Sequence, residues 1–208
     1  MTKKASPFRR RQHAATAEAM LDAAERAMIR HGYERATMQQ IARETGCAAG
    51  TFYLYFKNKQ VLLEALVVRH VQRMHAAARE AMARATDPLE KVRRAAVSIL
   101  QYWQGRRPFL RLVLTVWPIR PRAMQERLVQ IGLKDDMEFR RTIQGHLRAA
   151  QKQGLVRRDL PVETLMDFLD AVGFSLVEAF SFSPRRQTTE DQAQVFWGLV
   201  AGGIVHQE

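Results

Sequence analysis

The sequence contains a single cysteine, Cys47, among its 208 residues. One cysteine excludes a disulfide framework within the chain and a zinc site built from several thiolates, and it fits a reducing cytoplasm. Long apolar runs are missing too, since even the segment FLRLVLTVW at 109–117 is interrupted by Arg111. No run reaches the roughly 18 residues of a membrane span, so we expect a cytoplasmic protein with no membrane partner.

Acidic residues are scarce relative to basic ones. The chain has 33 Lys and Arg against 21 Asp and Glu, which gives a formal net charge of +12. Residues 1–60 hold 11 cations and 5 anions, so the net charge per residue is more than twice that of the remainder, which holds 22 cations and 16 anions. Such an excess favours an anionic partner, with nucleic acid ahead of a membrane surface.

Patterns that support catalysis or metal binding are also missing from the sequence. The six histidines have no paired metal-ligand spacing, and no glycine-rich phosphate loop, nucleophile elbow or triad spacing occurs. We therefore expect no metal, no cofactor and no enzymatic activity.

Apolar residues recur at helical spacing along nearly the whole chain, and no segment alternates convincingly with a period of two. Helix-boundary signals accompany this pattern: Gly32 can end a first helix, while Thr37, Asn58 and Asp87 are candidate caps. The pattern predicts an all-α protein of about nine helices. The later helices are expected at roughly 88–104, 106–117, 122–153, 162–182 and 189–206.

The segment at about 37–56 predicts a helix-turn-helix. Two short helices, at about 38–44 and 48–55, flank Gly46, which can supply the positive φ that bends the chain between them. We expect Ile41, Cys47, Phe52 and Tyr55 to point inward. The outer face of the second helix is small enough for its N-terminal end to enter a DNA major groove roughly 12 Å wide. That face comprises Ala48, Ala49, Gly50, Thr51, Tyr53 and Leu54.

Polar groups suited to DNA surround this face. Thr51 and Tyr53 offer hydroxyls to phosphates or base edges, and Lys57 and Lys59 add cationic contacts to phosphate. The second helix has no Arg, Asn or Gln for bidentate reading of bases, so we expect methyl contacts and DNA shape to contribute. Two residues of the first short helix, Gln39 and Arg43, are further candidates for DNA contacts.

The sequence here resembles the DNA-binding domain of the TetR family of transcriptional regulators, over about 55 residues. The matching residues are Gly32, Tyr33, Thr37, Ile41, Ala42, Gly46, Gly50, Thr51, Tyr53, Phe56, Lys59 and Leu62. By position, the resemblance implies phosphate contacts from Thr37, Thr51, Tyr53 and Lys59, and a recognition helix at 48–54.

Three residues depart from the family pattern. Thr45 stands where alanine is usual, Cys47 where valine or isoleucine is usual, and Ala48 where serine is usual. Losing the serine removes a helix cap, at a cost of about 1 kcal/mol.

The basic start of the chain predicts a disordered arm at 1–10. The resemblance also implies a DNA-binding domain at 11–60 and a helical domain at 61–208. The last of these would dimerise and bind a small-molecule effector. A dimer would place two recognition helices about one DNA turn apart, hence a pseudo-palindromic operator.

The last two predicted helices carry apolar stripes suited to a dimer interface, with packing inside one chain as the alternative. Glycines at 173, 198 and 202 favour close helix approach, since glycine inside a helix is otherwise unfavourable. The candidate interface residues are Leu165, Leu169, Val172, Leu176, Val195, Leu199 and Gly202.

Aromatic and other apolar residues in the middle of the chain are candidates for an effector pocket, with plain core as the alternative. Such a pocket would take an apolar or aromatic ligand. The candidates are Trp103, Phe109, Leu112, Val113, Val116, Trp117, Met137 and Phe174.

We therefore expect a homodimeric, sequence-specific transcriptional regulator, a repressor that a small apolar or aromatic effector releases from DNA. The alternative is an architectural or weakly specific DNA-binding protein without an effector. A helical enzyme is a third reading, for which no residues can be nominated.

Overall fold

The computed structural model describes residues 7–116, 130, 134–183 and 188–204. Within these residues the chain forms nine helices, which confirms the all-α prediction. They are α1 (Pro7–His31), α2 (Met38–Glu44), α3 (Ala49–Tyr55), α4 (Lys59–Ala83), α5 (Pro88–Gln104), α6 (Arg107–Val116), α7 (Lys134–Lys152), α8 (Val162–Phe182) and α9 (Thr189–Ile204).

Local capping fixes the ends of several helices where the sequence predicted them. Gly32 follows α1 with φ +78°, a left-handed conformation that costs glycine little. At the start of α2, Thr37 Oγ1 accepts from the Gln40 N–H at 3.2 Å, and Gln40 Oε1 accepts from the Thr37 N–H at 2.9 Å. Asn58 and Asp87 cap α4 and α5, each accepting a backbone N–H at 2.8 Å.

Some predicted boundaries differ from the observed ones. Helix α1 begins at Pro7, so residues 7–10 of the expected disordered arm are helical, and residues 1–6 lie outside the described residues. The helix expected at 122–153 is described as α7 from Lys134 onward. None of the helices in the described residues is both long and apolar enough to cross a membrane.

The chain divides into two compact units, the first ending at Arg69 and the second beginning at His70. The sequence placed this boundary after residue 60, at the start of α4. The two positions differ because α4 is one unbroken helix from Lys59 to Ala83, so no linker composition marks the division.

In the first unit, α1, α2, α3 and the start of α4 enclose a small core. Alanines at 24, 27 and 42 are buried there, and small side chains let helices approach closely. The large, fully buried side chains are Met20, Met28, Ile41, Phe52, Leu62, Leu63 and Leu66.

In the second unit, α5 packs against α6, α7, α8 and α9. Its buried residues include Leu100, Phe139, Leu147, Leu165 and Phe196. Helices α8 and α9 pack tightly at Gly203, which faces the Phe168 ring: a Cβ at Gly203 would lie 2.8 Å from a ring carbon.

A buried polar cluster joins three helices of the second unit. His75 of α4 stacks on Phe139 at 4.2 Å between ring centroids, and its Nδ1 lies 2.8 Å from Asp135 Oδ2. Burial lowers the pKa of His75, although both neighbouring aspartates oppose this change. Arg140 of α7 donates to Asp170 of α8.

Candidate nucleic-acid interface

The turn between α2 and α3 is built as the sequence predicted. Gly46 has φ +69°, which an L side chain rarely adopts. Thr45 closes the turn, because its hydroxyl donates to the Ala42 carbonyl at 2.6 Å and accepts from the Cys47 N–H at 3.4 Å. Thr45 Oγ1 also lies 2.7 Å from Cys47 Sγ. The two departures from the family pattern at 45 and 47 are therefore bonded to each other.

Ala48, the N-cap residue before α3, makes no side-chain cap hydrogen bond, as expected from the absence of serine. The Ala48 carbonyl still accepts from the Phe52 N–H at 3.1 Å and so starts the helical ladder. The helix is held by its packing rather than by its N-cap.

Fewer residues are buried at the inner face of α3 than the sequence predicted. Ile41 and Phe52 are fully buried, but Cys47 and Tyr55 are only half-buried. They lie next to the turn and at the last residue of α3, where the core is thin. Phe56, just after the helix, is 6% exposed and packs on Phe52 at 5.4 Å between ring centroids. The periodicity of α3 alone did not assign Phe56 to the core.

The outer face of α3 is exposed at every position that the sequence assigned to it. Tyr53 is 39% exposed and Leu54 is 84% exposed. A Cβ added at Gly50 would meet no atom within 4 Å, so packing in this chain does not require glycine there. The other exposed residues of this face are Ala48, Ala49 and Thr51.

Lys59 has an intramolecular role that the sequence did not reveal. Its Nζ donates to the carbonyls of Tyr33 at 2.5 Å and Glu34 at 3.0 Å, and it lies 4.5 Å from the Tyr33 ring centroid. Two of its three donors are thus used to tie the start of α4 to the turn after α1. No periodicity links residues 26 positions apart, which is why the contact was missed.

Thr37 is similarly engaged, because its hydroxyl accepts from the Gln40 N–H and lies 3.1 Å from Gln40 Oε1. Its expected phosphate contact therefore competes with its role as a cap. Gln39, Arg43 and Lys57, the remaining candidates, are all exposed.

The segment at 35–60 is strongly cationic. It holds four cations, at 35, 43, 57 and 59, and one anion, Glu44. Glu44 lies 3.5 Å from Arg30 and 3.3 Å from His31, so neighbouring basic groups offset its charge. Helix α3 itself carries no charge. An uncharged helix beside cationic residues suits a groove flanked by phosphates.

The expected effector-pocket residues that the structure describes lie in the second unit, and Trp103 borders a small cavity there. Met137 is 43% exposed, so its assignment to a pocket is wrong, because this position of α7 faces solvent rather than the core. Phe109, Leu112 and Val113 are buried, whereas Trp103, Val116 and Phe174 are half-buried. Trp117 lies outside the described residues.

Two of these residues are packed against neighbouring side chains. Phe109 stacks on His70 at 4.2 Å between ring centroids, and the Trp103 Nε1–H donates to Met74 Sδ at 3.1 Å. Trp103 borders a cavity of only about 10 Å³, room for about one water molecule. This cavity is lined by Leu100, Trp103, Gln104, Arg107, Val177, Phe180, Ser181 and Gln192.

The expected dimer residues divide between the two last helices. Leu165 and Leu169 of α8 are 1% and 7% exposed in the core of their own chain, so placing them at an interface is wrong. The stripe had the right periodicity, but it packs within the chain. In α9, by contrast, Val195 is 44% and Leu199 is 55% exposed. Gly202 is exposed beside them, whereas Val172 and Leu176 of α8 are half-buried.

Comparison with known proteins agrees with this architecture. The family model described as "Bacterial regulatory proteins, tetR family" matches residues 20–66, which include the helix-turn-helix. An uncharacterized HTH-type transcriptional regulator of Haemophilus influenzae is 50% identical over 48 residues, 23% of this chain and 26% of the relative. Another, from Bacillus subtilis, is 29% identical over 107 residues, 51% of this chain and 56% of the relative. The chain thus spans from about a quarter to just over half the length of these curated relatives.

Solved structures share the fold over most of the chain. The fatty acid degradation regulator FadR from Bacillus halodurans superimposes with a TM-score of 0.71 at 21% identity, covering 89% of this chain and 98% of that one. The ketosteroid transcriptional regulator KstR2 of Mycobacterium tuberculosis gives a TM-score of 0.67 at 18% identity, covering 92% and 95%. At such identities these structures show the fold alone.

The fold and the exposed second helix of the motif define a helix-turn-helix protein with a large helical second unit. Residues 20–66 match the TetR family of bacterial regulatory proteins, and the chain shares the fold of the solved structures named above. The relatives named above are described as regulators and not as enzymes, which agrees with the expectation of no enzymatic activity.

Proposed function

We propose that this protein is a homodimeric, sequence-specific DNA-binding transcriptional regulator that acts as a cytoplasmic repressor, released from its operator by a small effector. The observation that carries the proposal is the outer face of α3. That face is exposed along its whole length, is free of charge, and lies in a segment with four cations and one anion. This combination fits a helix that enters the major groove while its flanks contact phosphate.

Within this proposal, Tyr53 is the main polar contact of the recognition helix. Its ring rests edge-on against the buried Phe52 at 6.5 Å between centroids, so the side chain is supported while 39% of it remains exposed. Thr51 and Arg43 complete the contacts to phosphates or base edges. Lys59 contributes to DNA binding with the one donor that its intramolecular bonds leave.

The test begins with selection of binding sites from a random duplex library, using the full-length chain. The enriched site and a scrambled duplex are then titrated at the same salt concentration. A regulator is expected to prefer the enriched site by about 10³-fold or more. A ratio near one would favour the alternative, an architectural or weakly specific DNA-binding protein.

Substitution of Tyr53 tests the assignment of the surface. Tyr53→Ala should weaken operator binding by roughly 1–3 kcal/mol. Ile29→Ala is the matched control, because Ile29 in α1 of the same unit is also 39% exposed. Unchanged affinity in the Tyr53 variant, or an equal loss in the control, would contradict the assignment.

We propose that the dimer forms through the exposed faces of α8 and α9. In α9 this face holds Val195, Leu199 and Gly202, and a Cβ added at Gly202 would meet no atom of this chain within 4 Å. In α8 the exposed face over residues 171–182 is made of small residues, one aromatic and one carboxylate. It comprises Ala171, Ser175, Glu178, Ala179 and Phe182.

Dimer formation is tested by substituting two residues whose side chains are almost equally exposed. Val195 in α9 is 44% exposed and Met137 in α7 is 43% exposed. Val195→Asp should shift the protein to monomer in sedimentation velocity, because a charge at an apolar interface is costly to bury. Met137→Asp should leave the dimer intact. Dimers in both variants, or monomers in both, would refute this interface.

We propose that the effector enters beside the small cavity next to Trp103 and displaces side chains there. Gln192 borders this cavity, is 2% exposed, and its Nε2 has no hydrogen-bond partner among the described residues. An apolar effector with a carbonyl or carboxylate oxygen would satisfy that amide. Two similar structures are described as regulators of fatty acid degradation and of ketosteroids, compounds that combine apolar and oxygen-bearing parts.

This part of the proposal is tested by thermal unfolding with fatty acids, steroids and aromatic acids. An effector should raise the Tm and release the enriched duplex, because it favours a conformation unable to bind DNA. Gln192→Leu should reduce that stabilisation for oxygen-bearing compounds. Equal stabilisation of both proteins would place the effector elsewhere.

A further inference from the structure

Leu54 is the most exposed large apolar side chain of the described residues, with 84% of its surface accessible. On α3 it lies four residues after Gly50 and three after Thr51, so these three residues share one face of the helix. Phe52, on the opposite face, is fully buried. Leu54 thus belongs to the surface that the proposed function assigns to DNA, at the C-terminal end of α3.

The chemistry of this face limits what Leu54 can recognise. A leucine side chain offers no donor or acceptor, so facing the polar edges of G, C or A would leave those groups without partners. The C5-methyl of thymine is the apolar group that the major groove presents. We infer that Leu54 reads thymine, by packing its side chain against the C5-methyl group of a T·A pair in each half-site.

This inference rests on the proposed function and adds the base that one residue selects. Charge complementarity favours DNA over a protein as the occupant of this face, since exposed Arg43 and Lys57 belong to a segment with four cations and one anion. The neighbours of Leu54 on the face are also a glycine and hydroxyl-bearing residues. A docking site for an apolar protein surface would need a larger contiguous apolar patch.

The experiment uses the full-length protein and the duplex enriched by selection. Each thymine of the duplex is replaced in turn by uracil, which removes the methyl group and keeps the base-pairing groups. At one position in each half-site, the replacement should weaken binding of the unmodified protein about fourfold, the effect of one buried methyl. Replacing the symmetric pair should weaken binding about fifteenfold, because the two losses add in free energy.

Leu54→Ala supplies the second half of a double-mutant cycle. This variant loses the contact in both half-sites, so it should bind the thymine duplex at least about fifteenfold more weakly and show no further loss with uracil at the identified position. Ile29→Ala should retain the full uracil sensitivity. If uracil acted through DNA shape instead, its effect would persist in the Leu54 variant and overturn the inference.

The outcomes separate this inference from the function on which it rests. A selection that enriches no sequence contradicts the regulator itself, and the inference with it. An enriched operator whose thymines all tolerate uracil leaves the regulator intact and overturns the role of Leu54. Full operator affinity in Leu54→Ala overturns it as well and assigns this exposed leucine to another partner.

Discussion

Arg69 of α4 donates from Nη1 to Asp22 Oδ1 of α1 at 2.7 Å, with its side chain only 5% exposed. Its Nη2 donates to Glu25 Oε2 at 2.6 Å, and Glu18 Oε2 lies 3.4 Å from Nη1. The buried member of this cluster is therefore the cation, while Asp22 and Glu18 are about half exposed. This asymmetry decides which substitutions should be costly.

Removing the carboxylates should cost more than removing the guanidinium. The double variant Asp22→Asn with Glu25→Gln leaves a buried cation with poor compensation, so it should lower the free energy of unfolding by about 3 kcal/mol. Arg69→Met leaves partly solvated carboxylates and should cost about 1 kcal/mol. Urea unfolding measures both, with Arg26→Met on the exposed side of α1 as control. The reverse order of costs would show that the ion pairs themselves dominate.

Lys59 and Lys57 should separate stability from DNA affinity. Lys59→Met loses two hydrogen bonds to carbonyls, so it should lower the free energy of unfolding by about 1–3 kcal/mol. Lys57 is exposed two residues earlier, and Lys57→Met should leave stability unchanged while reducing the salt slope of operator binding by about 1. Unchanged stability in Lys59→Met would contradict the intramolecular role of Lys59.

Substitution by alanine at two glycines of the helix-turn-helix should change the stability of the protein in opposite directions. Gly46 has φ +69° and open space around it, so Gly46→Ala should destabilise the protein by about 1–2 kcal/mol through backbone strain alone. Gly50 lies inside α3 with the same open space, so Gly50→Ala should stabilise by up to about 1 kcal/mol. Operator binding should nevertheless weaken in Gly50→Ala if the backbone approaches DNA there. Thermal unfolding and titration with the enriched duplex measure the two effects.

Asp170 predicts a pH dependence of stability. Burial, helped by the charges of Asp136 and Asp167, raises its pKa to about 6, and the neighbouring Arg140 opposes that change only partly. The folded protein therefore keeps this proton at pH values where an unfolded aspartate, with a pKa of 3.8, has lost it. Stability contributed by Asp170 accordingly falls as the pH rises from about 4 to 6.

Asp170→Asn should remove this fall. We compare the free energy of unfolding of the variant with that of the unmodified protein at each pH. As the pH rises from 4 to 7, this difference should shift in favour of the variant by up to about 3 kcal/mol. Glu163→Gln is the control, since that side chain is 61% exposed on the same helix and does not contribute to the pKa change of Asp170. His75, whose pKa is lowered by burial, changes stability in the opposite direction but is present in all three proteins. Parallel curves for Asp170→Asn and the unmodified protein would contradict the prediction.

The sequence predicted the helix-turn-helix well because its signals are local. A capping threonine, a glycine that needs positive φ and a short apolar pattern all lie within about twenty residues of each other. The contacts of Lys59 with Tyr33 and of Arg69 with Asp22 join residues far apart in the chain. They depend on how helices pack, which periodicity does not specify.

In the second unit, the sequence predicted the positions of the helices more reliably than the surfaces against which their apolar faces pack. The spacing of Leu165 and Leu169 correctly marked an apolar face of α8, but a stripe of this kind packs equally well within a chain or between chains. Met137 shows the converse limit, because a large apolar residue at helical spacing still faces solvent. Exposure in the folded chain was needed to decide both.

The lone thiol in the bend before α3 has a practical consequence. Because Cys47 is the single cysteine of the sequence and is half-buried rather than enclosed, a nitroxide reagent can mark this bend without mutagenesis. Two marked chains in one assembly then yield a single interspin separation by pulsed electron paramagnetic resonance. In the proposed dimer, that separation reports the distance between the two helix-turn-helix motifs, before and after a candidate effector is added.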